Sequence, residues 1–188
     1  MPRPDRSAER IPQILGAAAK VFAADGVQGA NMDSVAKEAG LSKAGVYLYY
    51  KSKDALVLAL LEQFFAANLE ALKLIPIGDS ASIRICKWID LISAAMSNND
   101  HLQTIGFEFL ALAGRDQTAR SVVLGFYQAY IDAIAQLLQS DGVGEKQANE
   151  KATEVVAFLE GINLIWMAKS GELDFGKIAK SGVMSLLA

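Results

Sequence analysis

From Ile14 to Leu186 the apolar residues of this chain recur at three- and four-residue steps, and no segment alternates apolar and polar side chains in the two-residue rhythm of a half-buried strand. A chain patterned in this way buries its apolar side chains only by packing helix on helix, so the expected fold class is all-α. Its 188 residues suffice for one small domain and one larger one. Hydrophobic residues at 52 % and charged residues at 21 % exclude a disordered chain. No contiguous apolar run approaches the ~20 residues of a bilayer-crossing helix, and the charged start (Arg3, Asp5, Arg6, Glu9, Arg10) lacks the apolar centre of a secretory signal. A cytoplasmic location without membrane attachment is expected. The single cysteine, Cys86, and the single histidine, His101, form neither an internal disulfide nor a zinc cluster, so no metal or cofactor is expected.

Turn and cap signals divide the pattern into about nine helices. The first carries Ile14, Leu15, Ala18, Val21 and Phe22 on one face and stops at Asp25-Gly26; Pro12 suits its first turn and not its interior. A short helix from Met32 to Ala39 follows, with Asn31 as N-cap, Asp33 near the positive end of its dipole and Gly40 just past its end. Ser42 caps another short helix running from Lys43 to about Tyr50, and Ser52 caps a long one that ends before Pro76-Ile77-Gly78. Further helices are expected at about 80–97, 100–113, 116–139, 145–169 and 174–187.

Two short helices joined by Gly40-Leu41, the second capped by Ser42, form a helix-turn-helix, in which the second helix enters the major groove by its N-terminal residues. Lys43 is followed by the small residues Ala44 and Gly45, which let the backbone come close to DNA. Tyr47 and Tyr49 bring phenolic donors suited to phosphate, and Lys53 adds a cation at the start of the next helix. Tyr50 fits a packed aromatic; Leu48 suits either a thymine methyl or, preferably, the core; Lys43 suits either a guanine edge or a solvated charge. Residues 1–55 carry eight basic and six acidic side chains while the rest is acidic, so a net charge of −3 conceals a basic end.

The stretch Asn31-Met-Asp-Ser-Val-Ala-Lys-Glu-Ala-Gly-Leu-Ser-Lys-Ala-Gly-Val-Tyr-Leu-Tyr-Tyr-Lys-Ser-Lys-Asp-Ala-Leu56 resembles the TetR-type transcriptional repressors. The resemblance implies phosphate contacts from Asn31, Ser42, Tyr47, Tyr49 and Lys53, and base reading from Lys43, Ala44, Gly45 and sometimes Leu48. Ala44 stands where glycine is usual and Gly45 where threonine or alanine is usual, which bears on base reading and not on docking. It further implies a DNA-binding domain over 1–55 and a ligand-binding and dimerisation domain over 56–188. The expected partners are a palindromic duplex operator, a second copy of the chain and a small hydrophobic effector that releases the operator.

Near the end of the chain, Ala152, Val155, Val156, Leu159, Ile162 and Asn163 on one helix, and Phe175, Ile178, Gly182 and Leu186 on the next, form stripes that suit a two-fold four-helix interface; packing on the chain's own core is the other reading. Between the two ends lie Trp88, Met96, Phe107, Phe109, Phe126, Tyr127, Tyr130, Trp166 and Met167, each ordinary as core and together suited to an effector pocket. No nucleophile elbow, P-loop, dinucleotide fingerprint or HExxH motif is present, so an enzyme is not expected. A non-catalytic protein-interaction module, or a regulator without a ligand, is the alternative.

Overall fold

The computed structural model describes residues 7–76, 78–97, 101–169 and 172–188, and within 101–110 the side chains of Ile105, Glu108 and Leu110 alone. Among the described residues there are nine helices and no strand: α1 Ser7–Gly29, α2 Met32–Glu38, α3 Lys43–Tyr47, α4 Lys53–Lys73, α5 Ala81–Ser97, α6 His101–Arg115, α7 Gln117–Ser140, α8 Glu145–Ala168 and α9 Phe175–Leu187. They gather into two compact units. The first holds residues up to Gln63 together with Asp100–Asp116, and the second holds Phe64–Asn99 and Gln117–Ala188. The compact units therefore part inside α4, beyond the expected division after Ala55, and α6 joins the first unit because it packs along α1.

In the first unit, Ile14, Ala18 and Phe22 of α1, Val35 of α2, Val46 of α3 and Leu56 of α4 are all buried with almost no solvent contact. Gly26 ends the regular part of α1 at φ 69, a left-handed conformation that a side chain would resist, and a short turn carries the chain on to Gly29. Pro12 lies well inside α1, not in its first turn, with one helical turn of chain ahead of it starting at Ser7. At the end of α2, Gly40 (φ 63) allows Leu41 N–H to donate to Ala36 at 2.9 Å while Gly40 N–H donates to Lys37 at 3.1 Å, which closes the helix and aims the chain into α3.

In the second unit α7 and α8 form a helical hairpin, α9 packs on α8, and α5 packs on both α7 and α9. Leu72, Ile85, Ile89, Ile134, Val155 and Val183 form its innermost layer. The α7–α8 turn is tied into this arrangement: the Asp141 carboxylate accepts the Ala81 N–H at 2.6 Å and so caps α5 from sixty residues away. Although no contiguous run suggested it, α4 and α7 have the length and composition to cross a bilayer; each is instead apolar over the faces that meet its neighbours and interrupted by charge elsewhere.

Candidate nucleic-acid interface and a buried polar cluster

Val46, fully buried, pins α3 to the first unit, and Lys43, Ala44 and Leu48 are left exposed on the far side. Leu48 is 71 % exposed, which corrects the preference for packing it inward. The recognition helix is also shorter than expected, ending at Tyr47, with Lys51 Nζ donating to the Tyr47 carbonyl at 2.7 Å and so holding its C-terminal end.

Asn31 and Ser42 each serve a helix start in a way that leaves donors for phosphate. Asn31 Oδ1 accepts from the backbone of Asp33 and Ser34 at 3.0 and 2.9 Å, and Ser34 Oγ accepts the Asn31 N–H at 3.2 Å, a reciprocal capping box. The cap uses the amide oxygen, so the two Nδ2 protons keep their donor capacity. Ser42 Oγ accepts from Gly45 N–H at 3.1 Å, and its hydroxyl proton likewise remains a donor. A Cβ at position 45 would lie 3.2 Å from Ser42 Oγ, so glycine there relieves the cap of a tight neighbour. Lys53 Nζ donates to the carbonyls of Gln28 and Ala30 at 3.3 and 3.2 Å, which brings its charge beside Asn31. Tyr47, Tyr49 and Tyr50 are all half-buried; burial, then the charge of Glu62, pushes the Tyr50 hydroxyl's pKa upward, in keeping with a packing role.

Sequence reasoning placed Asp33 only at a helix dipole, yet its carboxylate reaches the candidate base-reading side chain. Lys43 Nζ lies 2.9 Å from Asp33 Oδ1 and 3.0 Å from Oδ2, and the hydrogen bond, then the charge, of Asp33 raises the lysine's pKa. Both side chains are exposed, so water and salt screen the pair and it adds little to stability. To touch DNA with full charge, Lys43 must leave Asp33. Asp33→Asn is therefore expected to raise affinity for random-sequence duplex by about three- to tenfold and to steepen its salt dependence by about one phosphate equivalent. Fluorescence anisotropy across a salt series reads both, and an unchanged slope would show that the pair does not hold Lys43 from phosphate.

Of the expected pocket residues, the second unit gathers Trp88, Phe126, Tyr127 and Tyr130 around Phe65 of α4. Phe65 stacks on Phe126 with ring centroids 4.8 Å apart, meets Tyr127 edge-on at 6.5 Å and Tyr130 at 5.8 Å, and Trp88 lies 5.4 Å from Tyr130. Polar groups thread this cluster: Trp88 Nε1 donates to the Asn68 carbonyl at 2.8 Å, Tyr130 Oη to the Phe65 carbonyl at 3.3 Å, and Tyr127 Oη to Glu160 Oε2 at 3.3 Å. Burial, then the charge of Glu160, drives the pKa values of Tyr127 and Tyr130 far above the ordinary phenol range. Burial also raises Glu160 itself, against the hydrogen bonds it receives from Asn163 and Tyr127. Asn68 and Glu160 carry no signal in the sequence that sets them apart from other polar residues on helices, so the aromatic pattern alone could not point to them.

Met96 and Trp166 lie elsewhere, lining a recess of about 350 Å³ with Ser93, Leu173 and Phe175. Met167 is buried, and the side chains of Phe107, Phe109 and His101 lie outside the described residues. Cys86 is half-buried, and burial raises its thiol's pKa, so it is held in the unreactive form.

The chain's own packing already covers most of the expected dimer stripe. Ala152, Val155, Val156, Leu159, Ile162 and Phe175 are buried within the chain itself, and Asn163, Gly182 and Leu186 are half-covered. Gly182 is occupied by its own neighbour, since a Cβ there would overlap the Phe158 ring. Only Ile178 of that set is exposed, at 39 %. The most apolar face of α8 and α9 went to the core, and the open face is the next one round: Ala157, Gly161, Leu164, Ile165 and Ala168 on α8, with Ile178, Ser181 and Met184 on α9.

Residues 14–60 match the family of bacterial regulatory proteins of the tetR type, and residues 81–180 match the C-terminal domain of LmrA/YxaF-like transcriptional regulators. The chain is 27 % identical to the uncharacterized HTH-type transcriptional regulator YfiR of Bacillus subtilis over 82 % of its own length and 77 % of that protein's. It is 25 % identical to the HTH-type nicotine-responsive transcriptional repressor HdnoR of Paenarthrobacter nicotinovorans, covering 85 % of this chain and 84 % of the relative. In fold it is similar to the transcriptional regulator FadR from Bacillus subtilis in complex with stearoyl-CoA, with a TM-score of 0.74 at 18 % identity over 95 % of this chain and 98 % of the other. With both family models covering their parts of the chain, and helix-turn-helix and C-terminal helices in the order those models require, this protein belongs to the TetR family of transcriptional regulators.

Proposed function

We propose that this regulator is a homodimeric cytoplasmic repressor, held on a palindromic operator by two copies of the α2–α3 surface and released by a small, largely apolar ligand bound among the helices of the second unit. The observation that carries the reading is the convergence of Asn31, Ser42, Lys43 and Lys53 around the starts of α2 and α3, where donors remain after the caps are satisfied, with Tyr47 one turn along α3 from Lys43. Tyr49 joins them as a phosphate donor, while Ala44 and Gly45 let the helix lie close to the base edges. Two such surfaces in a two-fold dimer would meet half-sites about one helical turn apart, roughly 34–36 Å. Support for a dimer comes from the exposed apolar stripe of Leu164, Ile165, Ile178 and Met184, which is costly to leave in water. Support for a ligand comes from the aromatic cluster around Phe65 and from two similar proteins, one nicotine-responsive and one in complex with stearoyl-CoA. A ligand acts by preferring the dimer shape that fits the operator less well.

The test is selection of tight-binding duplexes from random DNA, then titration of the winner at several salt concentrations with wild type, Tyr47→Phe and Lys43→Ala. A palindrome should emerge, binding should weaken steeply with salt, and both variants should lose affinity, with Lys43→Ala also relaxing base preference. No enrichment and no salt-dependent binding by folded dimer would overturn the reading.

A further inference from the structure

We propose that Glu160, with the rings of Phe65, Phe126 and Tyr127, is a receptor for a positively charged nitrogen, so that the effector is an aryl or alkyl ammonium compound and not an anionic one. The inference rests on the ligand-release reading above and deepens it. Glu160 lies on α8, facing Tyr127 of α7, inside the second unit. Its carboxylate receives hydrogen bonds from the Tyr127 hydroxyl and the Asn163 amide, and no lysine or arginine among the described residues pairs with it. A carboxylate largely withdrawn from water is costly unless a cation or a full set of donors compensates it, and two neutral donors are an incomplete set. The upward direction of its pKa agrees that burial outweighs them. The cluster is thus short of positive charge and rich in ring faces: Phe65 and Phe126 lie stacked, and Phe65 meets Tyr127 edge-on. Ring faces attract cations for the same electrostatic reason as the carboxylate does. Phe65, Phe126, Tyr127 and Glu160 all keep partial exposure to solvent. A ligand with a carboxylate or phosphate head would bring like charge to Glu160.

The test uses the full-length protein at pH 8 and a matched pair of probes, phenethyltrimethylammonium and its uncharged isostere (3,3-dimethylbutyl)benzene, with binding read by calorimetry and tryptophan fluorescence. Wild type should prefer the cation by about tenfold or more, and Glu160→Gln, which keeps an acceptor for Tyr127, should remove that preference and leave isostere binding unchanged. A second readout needs no variant. The quaternary ammonium cannot titrate and the Tyr127 and Tyr130 phenols stay protonated, so cation affinity in wild type should fall as pH is lowered and Glu160 takes up a proton. Absence of cation binding, equal affinity for the two probes, or a preference that survives both Glu160→Gln and acid would overturn the proposal. Operator release is measured separately by anisotropy. Cation binding that leaves the operator occupied would defeat the release reading and keep the cation site, whereas release by uncharged compounds without cation preference would do the reverse.

Discussion

Replacing Leu164 and Ile165 together by glutamate is expected to turn the proposed dimer into a monomer near 20.1 kDa and to lower operator affinity by about a hundredfold or more. The argument runs through exposure. Both side chains are about half exposed within the chain, at 47 % and 50 %, so the substitution removes little of its own core and should change monomer stability by no more than about 0.5 kcal/mol. In a two-fold interface each change occurs twice, and four carboxylates would face one another across a surface that is otherwise apolar. Loss of the dimer uncouples the two recognition surfaces. Each half-site must then be bound from solution, and the gain from tethering, typically two to four orders of magnitude, disappears. Sedimentation at micromolar concentration reads the first effect and anisotropy on the selected duplex reads the second. A variant that remains dimeric would show that the open face of α8 is not the interface. A monomer that binds the full operator with wild-type affinity would show that dimerisation is not what holds the protein on DNA.

The same face shows where sequence reading reaches and where it stops. Caps and turns are local, and Asn31, Ser42, Gly40 and Gly26 announced the edges of their helices because each satisfies a backbone requirement within a few residues of itself. Periodicity likewise identified the apolar stripe of α8 and α9. It could not say whether that stripe faced the chain or a copy of it, since burial against either looks alike in one dimension. The richer stripe, Ala152 to Ile162, went inward, and the poorer one, where Leu164 and Ile165 share a face with Ala157 and Gly161, stayed exposed. Contacts made across long intervals were illegible for a related reason. The Lys43–Asp33 pair depends on the angle between α2 and α3, Asp141 caps a helix that starts sixty residues earlier, and α6 joins the first unit by packing on α1. In the sequence nothing distinguishes Glu160 from the other charged residues of α8. Only the packing of α7 on α8 puts it beside Tyr127.

Trp88 offers the sharpest test of how firmly that packing is set. Its ring is 3 % exposed, lies 5.4 Å from Tyr130 and donates through Nε1 to the Asn68 carbonyl at 2.8 Å, so it links α5 to α4 and α7 at once. Trp88→Ala removes both the hydrogen bond and most of the volume of the side chain, and truncations of this kind cost about 3–5 kcal/mol where the surroundings cannot collapse. For a chain of this length that is a fall in melting temperature of roughly 6–20 °C, at about 2–4 °C per kcal/mol. Trp88→Phe keeps much of the volume and loses the donor, and should cost about 1–2 kcal/mol, a few degrees. The ratio of the two losses carries the information. A large gap between them means that the cluster around Phe65 is close-packed at Trp88 and that a ligand must enter from the Tyr127–Glu160 side, where exposure remains. Near-equal losses mean that neighbouring rings close over the missing indole, so the cluster is adaptable enough to admit ligands of different sizes. Thermal unfolding followed by far-ultraviolet circular dichroism measures both, and two variants that each melt within about 2 °C of wild type would contradict the burial from which the argument begins.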